Sequence, residues 1–186
     1  MGNKEARYSA WWSRSRGLPT AVYDSWKASL AAEPRQLSRI LAWATSATGF
    51  CIASAATFSY GNENAWQHIG WHEIERGGWN AELRRLNWVL YAAPGVAPVR
   101  DSLELTEPGR MPELFRERVL ATIAVEKFVP LSGERGVTVT ARRDLGHGGT
   151  VSWHGTLTRG LSWQTQGVPA AVDQAMEQVK AEYDLG

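Results

Sequence analysis

The sequence has a single cysteine, almost no net charge and no long apolar run. One cysteine cannot form an internal disulfide. Cys51 lies in the apolar segment 50–53, so we expect a small buried side chain in a reducing compartment. The formal net charge of +1 argues against nucleic acid as a partner, because nucleic-acid-binding domains usually carry a strongly basic face. The segment 42–58 is interrupted by five hydroxyl residues, and it falls short of the ~20 apolar residues that a membrane-spanning helix needs.

No targeting signal stands out. The first residues are charged, and they are not followed by the apolar stretch that forms the centre of a secretory signal. Together with the lone cysteine, this pattern predicts a cytoplasmic protein.

Ten tryptophans are the most unusual feature of the composition. They are Trp11, Trp12, Trp26, Trp43, Trp66, Trp71, Trp79, Trp88, Trp153 and Trp163. Large aromatic side chains are mostly buried, so those in predicted strands are expected to fill a core, with each indole N–H finding a partner. The alternative is that several of them form an exposed platform for a ligand.

The chain divides into an N-terminal arm, residues 1–34, and a single α+β domain, residues 35–186. Val22, Trp26 and Leu30 have helical spacing and predict a short helix over 21–32 in the arm. Trp11 and Trp12 lie among four basic residues, a pattern that suits contact with a membrane surface or a partner. The alternative is that the two indoles pack against the domain itself.

Alternating apolar residues and turn signals predict short strands between residues 37 and 158. Their ranges are 37–44, 50–58, 66–79, 83–91, 99–106, 125–131, 137–143 and 151–158. Apolar stripes predict a helix at 111–123 and a C-terminal helix at 169–184. The expected fold is a bent antiparallel sheet or open barrel of about seven strands, with these two helices covering its open sides.

The histidines are the first candidates for chemistry. His68 and His72 lie four residues apart and are followed by Glu73 and Glu75. The zinc-protease pattern would need a second histidine at the position of Arg76. Further ligands would have to come from His147 or His154, far away in sequence. We therefore predict no catalytic residue, metal or cofactor, although a histidine-dependent, possibly metal-dependent, enzyme remains an alternative.

The leading functional hypothesis is a non-catalytic binding module for a protein or peptide partner. An aromatic-rich sheet with an exposed edge can accept a further strand. The candidate binding residues are Trp71, Trp79, Trp88, Trp153, Arg142 and Arg143. Self-association is a second use of such an edge. A third hypothesis is a membrane-surface or lipid-binding domain that acts through the N-terminal arm.

Several segments together resemble a family of uncharacterised actinobacterial proteins. They are Leu41-Ala42-Trp43-Ala44, Trp71-His72-Glu73-Ile74-Glu75 with Trp79-Asn80, the segment 107–119, and the segment 136–143 with Trp153. The resemblance covers residues 37–185. The strand pattern is also similar to bacterial pleckstrin-homology-like domains, which implies a bent antiparallel sheet closed by a C-terminal helix. The resemblance implies no activity and no site residues.

Overall fold

The computed structural model describes residues 17–31, 38–146 and 148–183. Within these ranges the chain forms three α-helices and ten strands. The elements are α1 (Thr20–Ala31), β1 (Ile40–Ser46), β2 (Gly49–Ser54), β3 (Thr57–Asn62), β4 (Ala65–Gly70), a 3-10 turn (Trp71–Glu73), β5 (Ile74–Asn80), β6 (Arg85–Leu90), β7 (Arg100–Glu107), α2 (Met111–Ala121), β8 (Ile123–Ser132), β9 (Arg135–Arg143), β10 (Val151–Leu157) and α3 (Val168–Glu182).

Seven strands form one antiparallel sheet in the order β4-β3-β2-β1-β7-β6-β5. Contacts of Tyr60 in β3 across the inner face show that the sheet is bent. The Tyr60 hydroxyl donates to Asp101 of β7 at 2.8 Å, and its ring lies 5.1 Å from that of Trp88 in β6. The sheet does not close into a barrel, since β4 and β5 remain at its two ends. The predicted α+β class and bent seven-stranded sheet are confirmed. The pleckstrin-homology-like classification stays a prediction.

The remaining three strands form a second sheet, in the order β10-β9-β8. The C-terminal helix packs on this sheet and does not cover the larger one: Val172 and Val179 of α3 lie in one apolar cluster with Val139 of β9. The strand pattern identifies strands but not their partners, because an alternation of period two is the same in any antiparallel sheet. The division into two sheets is therefore visible only in the tertiary structure.

Two predicted strands each contain a turn. The predicted strand 50–58 is β2 and β3, joined at Ala55 and Ala56. Ser54 holds this turn, because its Oγ accepts the N–H of Thr57 at 2.9 Å. No glycine or proline marks the position. The predicted strand 66–79 is β4 and β5, separated by the 3-10 turn, in which a Glu73 carboxylate oxygen accepts the Gly70 N–H.

The two faces of the large sheet are covered differently. The inner face carries the main core, where Phe58, Trp71 and Trp88 meet Phe115 of α2. On the outer face, α1 covers the β1–β4 half by packing Val22, Trp26 and Leu30 against β-strand residues. No described helix covers the outer face of β5–β7. None of the described helices is long and apolar enough to span a membrane.

Candidate functional site

The outer face of β5–β7, which no described helix covers, forms an open groove of about 600 Å³. Directly paired residues of an antiparallel sheet share a face, so the register defines three rows across this groove. The rows are Arg76–Val89–Arg100, Gly78–Asn87–Ser102 and Asn80–Arg85–Glu104. The alternate residues, including Leu86 and Leu103, point inward and belong to the core.

The groove is positively charged at one end. Arg76 and Arg100 flank Val89 in one row. The Arg76 guanidinium pairs with Glu75, whereas Arg100 makes no hydrogen bond or ion pair with any described residue. Arg85 and Glu104 partly neutralise each other at 3.8 Å in the third row. The first row therefore carries two exposed guanidinium groups, of which that of Arg100 has no partner among the described residues.

Gly78 leaves a gap in the middle row. A Cβ built on Gly78 would have no heavy atom within 4 Å, and its backbone lies outside the left-handed region. Its neighbour Gly77 faces the other way, where a Cβ would lie 2.7 Å from the Phe115 ring. The outer face at Gly78 consequently has room for a large side chain from a partner.

The backbone of β5 is also available, because β5 ends the sheet. The Leu90 N–H donates to Val99 and the Leu105 N–H donates to Arg84, both at 2.9 Å. Hydrogen-bonded and non-bonded pairs alternate along antiparallel strands. Residues 84, 86, 88 and 90 are thus bonded to β7, and residues 85, 87 and 89 to β5.

It follows that Gly78 and its alternate neighbours in β5 are bonded to β6, while the N–H and C=O of Gly77 and Trp79 point away from the sheet. The outward direction of the Glu75 carbonyl, which accepts a hydrogen bond from Arg142 at 2.8 Å, agrees with this assignment. No described residue bonds to the backbone edge between Gly77 and Trp79.

Strands β4 and β8, which lie at two other sheet edges, differ from β5. In β4, the Trp66 indole donates to Ser25 of α1 at 3.1 Å, so a helix packs on the outer face of this strand. Strand β8 contains Pro130, which lacks an N–H for a sheet ladder. Between Gly77 and Asn80, β5 has neither a proline nor a lysine to discourage an added strand.

A second concave site lies at the junction of the two sheets. It is a mainly apolar pocket of about 420 Å³. Its lining residues are His68, Ile69, His72, Glu73, Leu90, Tyr91, Ser152 and His154. The fold therefore brings three of the four histidines to one pocket. His147 lies outside the described residues.

His154 is held between an aromatic ring and a hydroxyl group. Its ring stacks on Tyr91 with 3.8 Å between centroids and 12° between planes. Its Nε2 lies 3.0 Å from the Ser152 hydroxyl. Burial, followed by the nearby charges of Arg142 and His72, lowers the pKa of His154 to about 4. The imidazole is therefore neutral at physiological pH.

The other two histidines have different surroundings. His72 Nδ1 lies 3.5 Å from an Asp144 carboxylate oxygen. Both ring nitrogens of His68 meet hydroxyl groups, Nε2 that of Ser29 at 3.0 Å and Nδ1 that of Ser59 at 2.8 Å. Among the residues that the structure describes, no three His, Cys, Asp or Glu side chains are placed to hold a metal ion.

The sequence-predicted binding residues do not form a single site. Trp71 and Trp88 are buried in the main core, although Trp88 also lines the open groove with Trp79. Trp153 is half-buried against the core of the second sheet. Their role in binding stays a prediction.

The two arginines of that set differ sharply. Arg142 is only 3% exposed. Its guanidinium donates to the Tyr91 hydroxyl, the Thr122 hydroxyl and the carbonyls of Val119 and Glu75, at 2.8–3.1 Å. It thus joins β9 to the end of α2 and the start of β5. Arg143 is exposed at the end of β9.

Arg76, Gly78 and Arg100 are absent from the sequence-predicted set. The available signal was the pair Gly77-Gly78 inside a strand, since glycine in a strand often marks a close approach of another backbone. Trp11 and Trp12 lie outside the described residues, so the membrane-surface hypothesis stays a prediction.

No protein-family model matches the chain, and neither a curated protein nor a solved structure matches it. The resemblance to an actinobacterial family stays a prediction, and the function is argued from geometry alone.

Proposed function

We propose that this protein is a non-catalytic binding module that takes an extended segment of a partner protein as an additional strand beside β5. The observation that supports the proposal is the open backbone edge at Gly77 and Trp79, next to an uncovered groove. Addition of a strand to an exposed edge is a common mode of peptide recognition.

The backbone edge by itself is too short to hold a partner. Two residues offer two N–H and two C=O groups, and each hydrogen bond contributes about 0.5–1.5 kcal/mol net. The total of about 2–6 kcal/mol does not clearly exceed the estimated 4–15 kcal/mol cost of association. Side-chain contacts in the groove must therefore contribute to affinity, and this requirement makes the binding selective.

Selection of random peptides displayed on phage, with the full chain as the target, tests the proposal. Hydrogen exchange of the protein amides, measured by NMR, then locates the bound peptide. We expect enriched peptides to protect the amides of Gly77 and Trp79. The amide of Gly78, already bonded to β6, is the internal control and should change little. Failure to enrich any peptide with a Kd below about 1 mM, or protection elsewhere, contradicts the proposal.

The cytoplasmic location is part of the proposal. The single cysteine, Cys51, is fully buried in β2. Burial raises the pKa of its thiol to about 12, so the side chain stays a neutral thiol. A buried thiol that packs as a small apolar side chain suits a protein of a reducing compartment.

The histidine pocket supports a second candidate, a histidine-dependent enzyme. Ser152 and His154 are within hydrogen-bond distance, as a nucleophile and its base require. No described residue bonds to Nδ1 of His154 to orient the ring. Labelling with a fluorophosphonate, measured by intact mass, separates the candidates. Modification that Ser152→Ala abolishes would favour the enzyme, and an unmodified wild-type protein would count against it.

A further inference from the structure

We infer that the segment bound beside β5 carries an acidic residue opposite Arg76 and a bulky residue, preferably aromatic, two positions away opposite Gly78. The inference rests on the proposed function and names the chemistry of its ligand. An antiparallel strand runs opposite to β5, so its residue opposite Gly78 precedes its residue opposite Arg76. The occupant of the groove is thus an extended aromatic-x-acidic peptide.

The spacing follows from strand geometry. Side chains of an added strand alternate between faces, so the two residues opposite Arg76 and Gly78 lie two positions apart on the open face. Arg76 and Gly78 are bonded inward to β6. With an added antiparallel strand these two residues form non-hydrogen-bonded pairs, in which the side chains approach most closely. These two positions therefore offer the strongest side-chain contacts along the edge.

The positive charge of the first row favours an acidic residue in the bound segment. Arg100 stands two strands from Arg76 in the same row, a separation of about 10 Å by the usual strand spacing. An added strand lies one further strand spacing from Arg76. A carboxylate there can take a bidentate hydrogen bond from Arg76, and it feels a weaker, partly screened attraction from Arg100.

The existing partner of Arg76 does not prevent this contact. Its pair with the neighbouring Glu75 leaves the Arg76 side chain 54% exposed. An exposed ion pair contributes little stability. The guanidinium can consequently share its donors with a peptide carboxylate or exchange partners at small cost.

The second row favours a bulky side chain in the bound segment. Beside Gly78, the neighbouring positions on the outer face are Asn87 and Ser102, both short polar residues. An aromatic ring opposite Gly78 could lie over the bare glycine backbone, as aromatic residues do in cross-strand pairs with glycine. A small residue at the same position would leave the gap open to water.

A second copy of this chain is a poorer occupant. Antiparallel pairing of two β5 strands about Gly78 would set Arg76 against Asn80 and Gly78 against Gly78. Such a pair offers neither an acid to the arginine nor a ring to the gap. An anionic membrane would meet the arginines, but nothing in that contact would use the gap at Gly78.

Four labelled peptides of matched length test the inference by fluorescence anisotropy with the full chain. They carry Trp-x-Glu, Trp-x-Lys, Gly-x-Glu and adjacent Trp-Glu in one threonine-rich background. We expect Trp-x-Glu to bind tightest, with each change weakening affinity by about fivefold, the scale of one cross-strand pair. The adjacent arrangement places the two side chains on opposite faces, so only one of them can contact the open face and one contribution should be lost.

Protein variants assign the preference to residues. Arg76→Glu should reverse the preference between Trp-x-Glu and Trp-x-Lys, and Gly78→Trp should remove the preference for an aromatic residue. Arg159→Glu, at an exposed arginine that follows β10 of the second sheet, is the matched control and should leave all four affinities unchanged. Circular dichroism verifies that each variant is folded.

The outcomes separate this inference from the proposed function. Equal binding of all four peptides, with protection of the Gly77 and Trp79 amides, overturns the aromatic-x-acidic preference and leaves the proposed binding module intact. Absence of binding together with absence of protection overturns both. Concentration-dependent dimerisation that protects these amides without peptide favours a second copy. Sedimentation with phosphatidylserine vesicles that Arg76→Glu abolishes, without any peptide preference, favours a lipid surface. Either of the last two results overturns the inference.

Discussion

Gly77 and Gly78 are neighbours in β5, yet a side chain on one would strike the core and a side chain on the other would meet solvent. A Cβ on Gly77 would lie 2.7 Å from both the Phe115 ring and the Asn87 carbonyl oxygen, whereas a Cβ on Gly78 would contact nothing within 4 Å. Neither glycine has a positive φ. The difference between them is therefore one of space, not of backbone strain.

The two glycines should respond oppositely to alanine. Gly77→Ala is expected to destabilise the protein by about 1–3 kcal/mol, because the ring of Phe115 has to move in a packed core. Gly78→Ala should be neutral or stabilise by up to about 1 kcal/mol, since it restricts the unfolded chain without a clash. Urea unfolding of both variants checks this. Equal losses at the two positions would contradict the assigned faces.

Backbone amides of β5 should exchange with solvent in an alternating pattern. In the free protein we expect fast exchange at Gly77 and Trp79, whose N–H groups point outward, and slow exchange at Gly78 and Asn80, which bond to β6. Hydrogen exchange followed by NMR measures each amide. The reverse alternation would move the free groups to other residues and remove the basis of the proposed edge.

Stability should fall on acidification because of His154. Its pKa of about 4 in the folded protein lies below the ordinary value of about 6.5. Between these values the unfolded chain binds more protons, so stability is complete above about pH 6.5 and declines as the pH falls towards 4. Half-burial screens the effect and makes it smaller than for a fully buried imidazole.

The His154→Phe variant isolates this contribution. Phenylalanine keeps a ring against Tyr91 but cannot bind a proton. The charged and titratable groups around the site, which include Arg142, His72, Glu73 and Asp144, remain in both proteins. Urea midpoints measured from pH 4 to 7 should therefore fall less steeply in the variant than in the wild type. Parallel curves would show that His154 does not titrate abnormally.

Arg142 should be far more important for stability than its neighbour Arg143. Lysine at position 142 cannot reproduce the planar fork that reaches Tyr91, Val119 and Glu75. We expect Arg142→Lys to cost about 2–4 kcal/mol, because buried acceptors lose hydrogen bonds from a charged donor. Arg143→Lys, at an exposed position, should stay within about 0.5 kcal/mol. Thermal and urea unfolding compare the two, and similar costs would refute the bridging role of Arg142.

Local patterns predicted the elements well where they were long and regular. The apolar stripe of the C-terminal helix predicted 169–184, and α3 occupies Val168–Glu182. The alternation around Trp88 predicted a strand, and Leu86 and Trp88 on its inward side are buried. The turn at Ala55 and Ala56 was not predicted, because its signal is the Ser54 side chain bonding to the backbone and not a glycine or proline.

The residues of the site were harder to predict, because their relationships depend on contacts between segments far apart in the sequence. Arg142 and Arg143 look equivalent in sequence, but only Arg142 meets acceptors from β5 and α2. His72 and His154 lie far apart in the chain and converge only because the two sheets abut. Arg76 and Arg100 share a row through the register of three strands. None of these relationships produces a periodic pattern in the local sequence.

The sequence by itself determined the α+β class and most of the individual elements, because side-chain periodicity is a property of neighbouring residues. The tertiary structure decided the division into two sheets, the cover that α1 gives to one half of the outer face, and the position of β5 at an open edge. Those features depend on pairings between distant segments and on which surfaces remain after the core is packed. The free groups of Gly77 and Trp79 belong to this second class.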